Sequence, residues 1–151
     1  MTVITLHTHI NSTIKEAFQL SLDIDFHKRT ASQTDEEAIA GVTSGIIKYN
    51  ETVTWRGKHF GVFLTHTSII SAYDAPTYFV DEMIEGRFKS FRHQHYFEQK
   101  GEGVYMKDVI TYQTPYGIFG KLFDRLLLKK HMTDFIANRN SILKNELEKN
   151  N

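Results

Sequence analysis

The spacing of turn-forming residues constrains the fold of this chain more than any other feature of the sequence. Between Glu36 and Thr114, segments rich in β-branched and aromatic residues are separated by short clusters of glycine, proline and aspartate. Such segments are typical of strands, and consecutive strands joined by short loops pair antiparallel. We therefore predict six strands, over residues 36–41, 51–58, 62–72, 77–85, 88–99 and 103–114.

The first thirty residues predict one more strand and two short helices. Thr2–Ile10 is rich in β-branched residues, which favours a strand. Thr13 and Glu16 have the spacing of a capping box, which predicts a helix that begins directly after Thr13. Asp23 is a second N-cap residue and predicts another short helix that ends near Arg29.

The last thirty residues predict one long helix. From residue 118 to about 148 the chain has no proline and a single glycine, Gly120. At 100° per residue, however, its apolar residues occupy two faces. One face holds Phe119, Leu122, Phe123, Leu126 and Leu127, and the nearly opposite face holds Leu128, Met132, Phe135, Ile136, Ile142 and Leu143. We predict either a kink between Leu128 and His131, or first turns whose contacts differ from those of the last turns.

This order of elements predicts an α+β protein in which a curved antiparallel sheet wraps around the long C-terminal helix, with two short helices after the first strand. A chain of 151 residues is expected to form one domain, residues 1–151, and to bury a sufficient core. The absence of cysteine excludes disulfides, thiol catalysis and zinc ribbons. Neither a signal peptide nor an apolar run of membrane-spanning length is visible, so we expect a cytoplasmic protein without an integral membrane segment.

Charge is balanced overall but uneven along the chain. With 18 basic and 18 acidic residues, the chain lacks the basic excess typical of nucleic-acid binding, so no nucleic-acid partner is expected. Residues 1–86 contain 6 basic and 11 acidic residues, whereas residues 87–151 contain 12 and 7. In the second half, Lys121, Arg125 and Lys129 form a basic stripe along the predicted helix, which indicates either a solvated face or an amphipathic surface for a membrane or a protein partner.

Several segments of the sequence together resemble the bacterial SRPBCC ligand-binding proteins. The superfamily includes START lipid-transfer domains, polyketide cyclases, coenzyme Q-binding proteins and the birch-pollen-allergen fold. The segments that carry the resemblance are Glu51–Gly61, Phe79–Glu82, Phe91–Glu98, Met106–Tyr112 and Pro115–Gly117. The resemblance implies a helix-grip fold with a deep, mostly apolar cavity for a small hydrophobic or amphipathic molecule. It does not decide between binding and catalysis, because members of one fold differ in function.

The alternation of side chains predicts which residues line this cavity. In the strand at 88–99, the more apolar face holds Phe91, His93, His95 and Phe97. The next strand then directs Met106, Asp108, Ile110 and Tyr112 to the same side, which places Asp108 opposite His93 or His95.

The two preceding strands are expected to complete this wall. A tight turn at Gly86-Arg87 would place Tyr78, Val80, Glu82 and Ile84 beside His93. One strand further along, His66 would then lie near Glu82. The predicted wall thus contains three histidines and two carboxylates among aromatic residues.

Three interpretations of this polar cluster remain open. Two histidines at i and i+2 lie about 6–7 Å apart along one strand face, as in some metal sites. A histidine paired with a carboxylate in an apolar pocket is also typical of general acid/base catalysis, for which His93, His95, Asp108 and Glu82 are the candidates. The interpretation we favour is that these groups satisfy one another's hydrogen bonds and orient a polar ligand group, without a metal or another cofactor.

The sequence therefore predicts a protein that binds a small hydrophobic or amphipathic molecule without converting it. The first alternative is a cyclase-like or dehydratase-like acid/base enzyme, and the second is a lipid or quinone carrier in peripheral contact with a membrane. His59 and His131 are assigned only charged or capping roles at a turn and at the helix bend. The predicted cavity residues are Trp55, His66, Tyr78, Glu82, Phe91, His93, His95, Phe97, Met106, Asp108, Tyr112, Phe119, Phe123, Met132 and Phe135.

Overall fold

The computed structural model describes residues 1–149 and contains one antiparallel sheet and a long C-terminal helix. Two short helices follow the first strand, and a 3-10 turn over Ser32–Thr34 leads into the second strand. The strands are β1 (Thr2–Ile10), β2 (Glu37–Gly41), β3 (Thr52–His59), β4 (Val62–Asp74), β5 (Tyr78–Glu85), β6 (Ser90–Lys100) and β7 (Gly103–Gln113). The helices are α1 (Ile14–Ser21), α2 (Ile24–Thr30), α3 (Gly117–Phe123) and α4 (Lys129–Glu148).

The sheet confirms the predicted hairpin succession. Its seven strands lie in the order β1-β7-β6-β5-β4-β3-β2, so each strand from β2 to β7 pairs with its sequence neighbour and β1 closes the other edge against β7. The β4–β5 pairing shifts register twice, next to Ser68 and next to Ala72. Such bulges bend and twist the strands, which helps the sheet curve around the helix.

Both predicted N-caps of the short helices are present. The Thr13 hydroxyl accepts a hydrogen bond from the Glu16 amide at 3.2 Å, and the Asp23 carboxylate accepts one from the Phe26 amide at 3.0 Å. These bonds satisfy amide groups that a helix leaves without partners in its first turn. The two helices therefore begin where the local sequence predicts.

A π-helical segment explains why the long helix has two apolar faces. Asp124–Leu128 lies between α3 and α4 and adopts the wider π turn, slightly earlier than the predicted kink. A π turn inserts an additional residue and rotates every later side chain around the helix axis. Ile136 and Leu143 in α4 are consequently buried, whereas Phe119 and Leu122 in α3 are exposed.

The register of β5 corrects one prediction about the cavity wall. Asp81 pairs with His93 and Phe79 pairs with His95, so Phe79 and Asp81 share the inner face with these histidines. The prediction that Tyr78 and Glu82 lie on this face was wrong, as it was for Val80 and Ile84. A two-residue turn at Gly86-Arg87 would pair Glu82 with Phe91, but Glu82 pairs with Arg92, which is a register shift of one residue. Because side chains alternate with a period of two, a shift of one residue in the register moves each of them to the other face.

Candidate functional site

A cavity of about 480 Å³ lies between the sheet and the long C-terminal helix. Its inner part is bounded by Trp55, Phe91 and Ile136, which are buried, and its outer part by Tyr116 and Phe119, which are exposed. The cavity therefore opens to the surface beside α3. Eight of the predicted residues lie on its wall: Trp55, His66, Phe91, His93, Phe119, Phe123, Met132 and Phe135.

The other seven predicted residues lie elsewhere in the molecule. Phe97 and Met106 belong to the apolar core that packs against α1, and Tyr112 donates a hydrogen bond to buried Asp124 at the π turn. Tyr78 and Glu82 lie on the outer face of β5, where the Gln94 side-chain amide donates to the Tyr78 hydroxyl at 3.1 Å. The remaining two, His95 and Asp108, are buried beside the cavity rather than on its wall.

Asp108 is the centre of a buried hydrogen-bond network that reaches the cavity through His93. Its Oδ1 accepts a hydrogen bond from His93 Nε2 at 2.7 Å, and its Oδ2 accepts one from Asn140 Nδ2 at 2.7 Å. Arg139 Nη1 lies 3.9 Å from Oδ1, and the Arg139 side chain also donates to the Ser21 carbonyl at 3.3 Å. Asp108 thus links β6 and β7 to the long helix at one buried point.

Asn140 and Arg139 were not predicted from the sequence, although the sequence pattern around Asn140 indicates a buried residue. Ile136, Asn140, Leu143 and Leu147 follow one another at helical spacing, and all four are buried. A lone amide on such an apolar stripe needs a hydrogen-bond partner in the core. Its partner could not be identified from the sequence, because Asp108 lies 32 residues away.

His95 belongs to the same buried network, but its Nδ1 atom forms no hydrogen bond within residues 1–149. This atom lies 3.1 Å from Asp108 Oδ1, but it is not aligned for a hydrogen bond and has no other partner in residues 1–149. The imidazole stacks between the rings of Phe79, at a centroid distance of 4.1 Å, and His93, at 3.7 Å. Burial lowers the pKa of His95 to about 3, with repulsion from His93 in the same direction and attraction to Asp108 opposing it.

Burial and the interactions within the network also determine the charge states of Asp108 and Arg139. Burial raises the pKa of Asp108, but its interactions with His93 and His95 outweigh burial and hold the pKa well below its ordinary value. Burial also lowers the pKa of Arg139, and attraction to Asp108 and Asp81 opposes this effect. At neutral pH we therefore assign an anionic Asp108, a cationic Arg139 and a neutral His95.

A second polar group on the cavity wall was not predicted from the sequence. His59 Nδ1 and His131 Nε2 lie 2.9 Å apart, which joins the end of β3 to the start of α4. Nearby, His27 Nε2 lies 3.2 Å from Glu36 Oε1, and the Thr34 hydroxyl donates to Glu36 Oε2 at 3.2 Å. The alternation of β3 contained a signal for His59, because Trp55, Gly57 and His59 follow one another on the face that was predicted to be internal.

Burial favours the neutral form of three imidazoles of the cavity wall, those of His59, His66 and His131. It lowers the pKa of His59, His66 and His131, although nearby carboxylates act in the opposite direction. For Glu36, burial raises the pKa, but its hydrogen bond to His27 and further attraction hold the pKa below its ordinary value. Neutral imidazole both donates and accepts hydrogen bonds, so this wall can bind uncharged hydroxyl or carbonyl groups.

Comparison with known proteins assigns the fold. No protein-family profile and no curated protein matches this sequence. Among solved structures, the protein TTHA0849 from Thermus thermophilus aligns with a TM-score of 0.79 and 18% identity over 97% of both chains. A START superfamily protein from Mycobacterium smegmatis aligns with a TM-score of 0.74 and 8% identity over 99% of both chains. The ginseng major latex-like protein 151 from Panax ginseng aligns with a TM-score of 0.67 and 16% identity over 97% of both chains.

The chain has a helix-grip fold. This agrees with the fold that the sequence motifs implied. Identities of 8–18% show a common architecture and leave the ligand and the activity of this helix-grip protein to be argued from its own residues.

The buried network of the helix-grip core also has the residue types of a metal site. The ligand atoms of His93, His95 and Asp108 lie within 4.8 Å of one another. A divalent cation there would lie near the cationic Arg139, with Asp108 as the only acidic ligand in the group. Such an excess of buried positive charge is costly, so the geometry favours a hydrogen-bonded network over a metal centre.

Within residues 1–149, no helix combines the length and the apolar character that a membrane span requires.

Proposed function

We propose that this protein binds a small hydrophobic or amphipathic molecule in the cavity between the sheet and the long helix. The observation that carries the proposal is the cavity itself, whose volume of about 480 Å³ lies in the range of small-molecule sites. Aromatic residues such as Trp55, Phe91 and Phe135 supply apolar contact area. The neutral imidazoles of His59 and His66 supply hydrogen bonds for a polar ligand group.

The single tryptophan of the chain offers a direct test, because Trp55 lies on the cavity wall. The uncharged probe N-phenyl-1-naphthylamine is expected to bind in the cavity and to accept excitation energy from Trp55. Replacing Leu64, another wall residue, with arginine places a charge and additional volume in the cavity. We expect Leu64→Arg to weaken probe binding by about tenfold or more, measured by fluorescence titration.

Glu98→Arg is the matched control, since Glu98 is exposed on β6 and the substitution introduces the same side chain away from the cavity. It should bind the probe as the unmodified protein does. Circular dichroism of both variants verifies that they are folded. The proposal is overturned if the probe does not bind near Trp55, or if folded Leu64→Arg binds it with unchanged affinity.

One observation favours acid/base catalysis as a second candidate function. Because Asp108 is anionic and only accepts hydrogen bonds, the proton of the His93 imidazole lies on Nε2. In the neutral form of His93, Nδ1 therefore carries the lone pair. His93 is also on the cavity wall, so a carboxylate-oriented base would face a bound molecule.

The role of His93 as a general base can be tested with 5-nitrobenzisoxazole, a small apolar molecule that releases a coloured product when a base removes its proton. A general base removes the proton from its ring carbon, the N–O bond breaks, and a coloured cyanonitrophenolate is released. If His93 is the base, His93→Gln should lower the rate of release by roughly 100-fold or more. His7→Gln, at an exposed histidine on β1, is the control. A rate for His93→Gln equal to that of the control would exclude this candidate.

A further inference from the structure

The outer surface of α3 and the π turn is unusually apolar for an exposed helix. Ile118 is 77% exposed, Phe119 78%, Leu122 56%, Leu126 66% and Leu127 53%. Phe60, at the tip of the β3–β4 hairpin, is 51% exposed and extends this surface, because its ring lies 5.3 Å from that of Phe123. We call these residues the apolar rim. Contiguous exposed apolar patches of this kind mark interaction sites.

The fold keeps the apolar rim exposed. Asp124, in the π turn, is buried and accepts hydrogen bonds from the hydroxyls of Tyr112 and Thr2. These bonds fix the rotation of the helix against β1 and β7. With Asp124 directed inward, Leu122 and Leu126 cannot turn towards the core without breaking buried hydrogen bonds.

The exposed charged residues between residues 117 and 130 are all basic. They are Lys121, Arg125, Lys129 and Lys130, of which Lys130 forms an ion pair with exposed Asp134, while the one acidic residue of this segment, Asp124, is buried. The adjacent hairpin contributes exposed Arg56 and Lys58 and has no acidic residue between 52 and 73. The rim and its surroundings thus combine apolar side chains with positive charge.

We propose that the apolar rim docks onto the surface of an anionic lipid bilayer. An amphipathic helix with apolar residues on one side and lysine or arginine beside them is suited to the boundary between headgroups and acyl chains. A second copy of the chain is a poorer partner, because a symmetric contact would bring the two basic stripes together. Phe60, Phe119 and Phe123 also border the cavity opening, so docking would face this opening towards the lipid.

Co-sedimentation with vesicles tests the proposal. Vesicles of phosphatidylcholine containing one quarter phosphatidylglycerol should sediment most of the protein at low salt, and vesicles of phosphatidylcholine alone should sediment much less. The triple variant Ile118→Ser, Leu122→Ser, Leu126→Ser, and separately the double variant Lys121→Glu, Arg125→Glu, should each reduce partitioning by about tenfold or more. None of these residues lies on the cavity wall or in the core.

Two control variants change the same residue types elsewhere. Ile84→Ser replaces an isoleucine of β5 that is 58% exposed, and Lys15→Glu reverses an exposed charge of α1, so both should sediment as the unmodified protein does.

Loss of vesicle binding that is confined to the rim variants supports docking. Absence of binding to the anionic vesicles, or equal binding by rim and control variants, overturns it. A rim-dependent dimer in light scattering, without vesicle binding, would identify a second copy as the partner and would also overturn it. These outcomes are independent of whether the cavity binds the fluorescent probe.

Discussion

Replacing Asp108 with alanine is expected to lower the free energy of unfolding by about 3–5 kcal/mol. The substitution removes the acceptor of two buried hydrogen bonds, from His93 and from Asn140. It also leaves the Arg139 guanidinium buried without its nearest carboxylate. A buried charge that loses its partner costs far more than an exposed one, because water cannot solvate it.

Urea unfolding followed by circular dichroism measures this loss. Glu98→Ala, which removes an exposed carboxylate from the neighbouring strand, is the matched control and should change stability by less than about 0.5 kcal/mol. Asp108→Asn keeps the shape of the side chain and should give an intermediate loss, which provides a value even if Asp108→Ala does not fold. Losses of less than about 1 kcal/mol for both Asp108 variants would contradict a central role for this carboxylate.

The second large expected effect is a loss of folding stability at acidic pH. The protein is expected to lose stability steadily as pH falls from about 6.5 towards 3, and His95 is a principal cause. Its pKa is about 3 in the folded protein and 6.5 ordinarily, so between these values the unfolded chain binds a proton at this site that the folded protein does not. Stability therefore rises with pH across this window, by about 1.4 kcal/mol per pH unit for one such group. The contribution is complete above pH 6.5 and is lost on acidification.

His95→Phe isolates this contribution. Phenylalanine retains the stacking on Phe79 and cannot be protonated. We expect the slope of unfolding free energy against pH to be smaller in this variant by about 1.4 kcal/mol per pH unit between pH 6 and 4. His7→Gln, at an exposed histidine, provides the comparison. Equal slopes for the two variants would show that His95 is not held neutral by burial. The lowered pKa values of His59, His66 and His131 act in the same direction and account for part of the slope that remains.

Residues of the candidate site could be predicted from the sequence only where the prediction depended on a single strand or helix. Phe91 and His93 were placed on the inner face because strand alternation fixes a side chain relative to its neighbours two residues away. The face of β5 depended on the register of its pairing with β6. A two-residue turn at Gly86-Arg87 predicts Glu82 opposite Phe91, whereas the structure pairs Glu82 with Arg92. The same shift places Asp81 rather than Glu82 on the cavity wall.

Which polar residues meet was decided by tertiary packing. His59 and His131 are 72 residues apart, and only the position of the hairpin against the long helix brings their rings together. Similarly, Asp108 was placed among the cavity residues, but its bond to Asn140 holds it in the layer between sheet and helix. Alternation gives the side of a sheet on which a residue lies, but not whether a cavity or another side chain occupies that side.

By itself, the sequence of this protein determined the succession of strands, the two N-caps and the presence of a long C-terminal helix with two apolar faces. These properties depend on neighbouring residues, because capping, alternation and helical periodicity act over a few positions. Only the tertiary structure decided the register of β5, the separation of the Asp108 network from the cavity, and the exposure of the apolar rim beside the cavity opening. Each of these depends on contacts between residues far apart in the chain, such as the bonds of Asp124 to Thr2 and Tyr112 that fix the rotation of the helix.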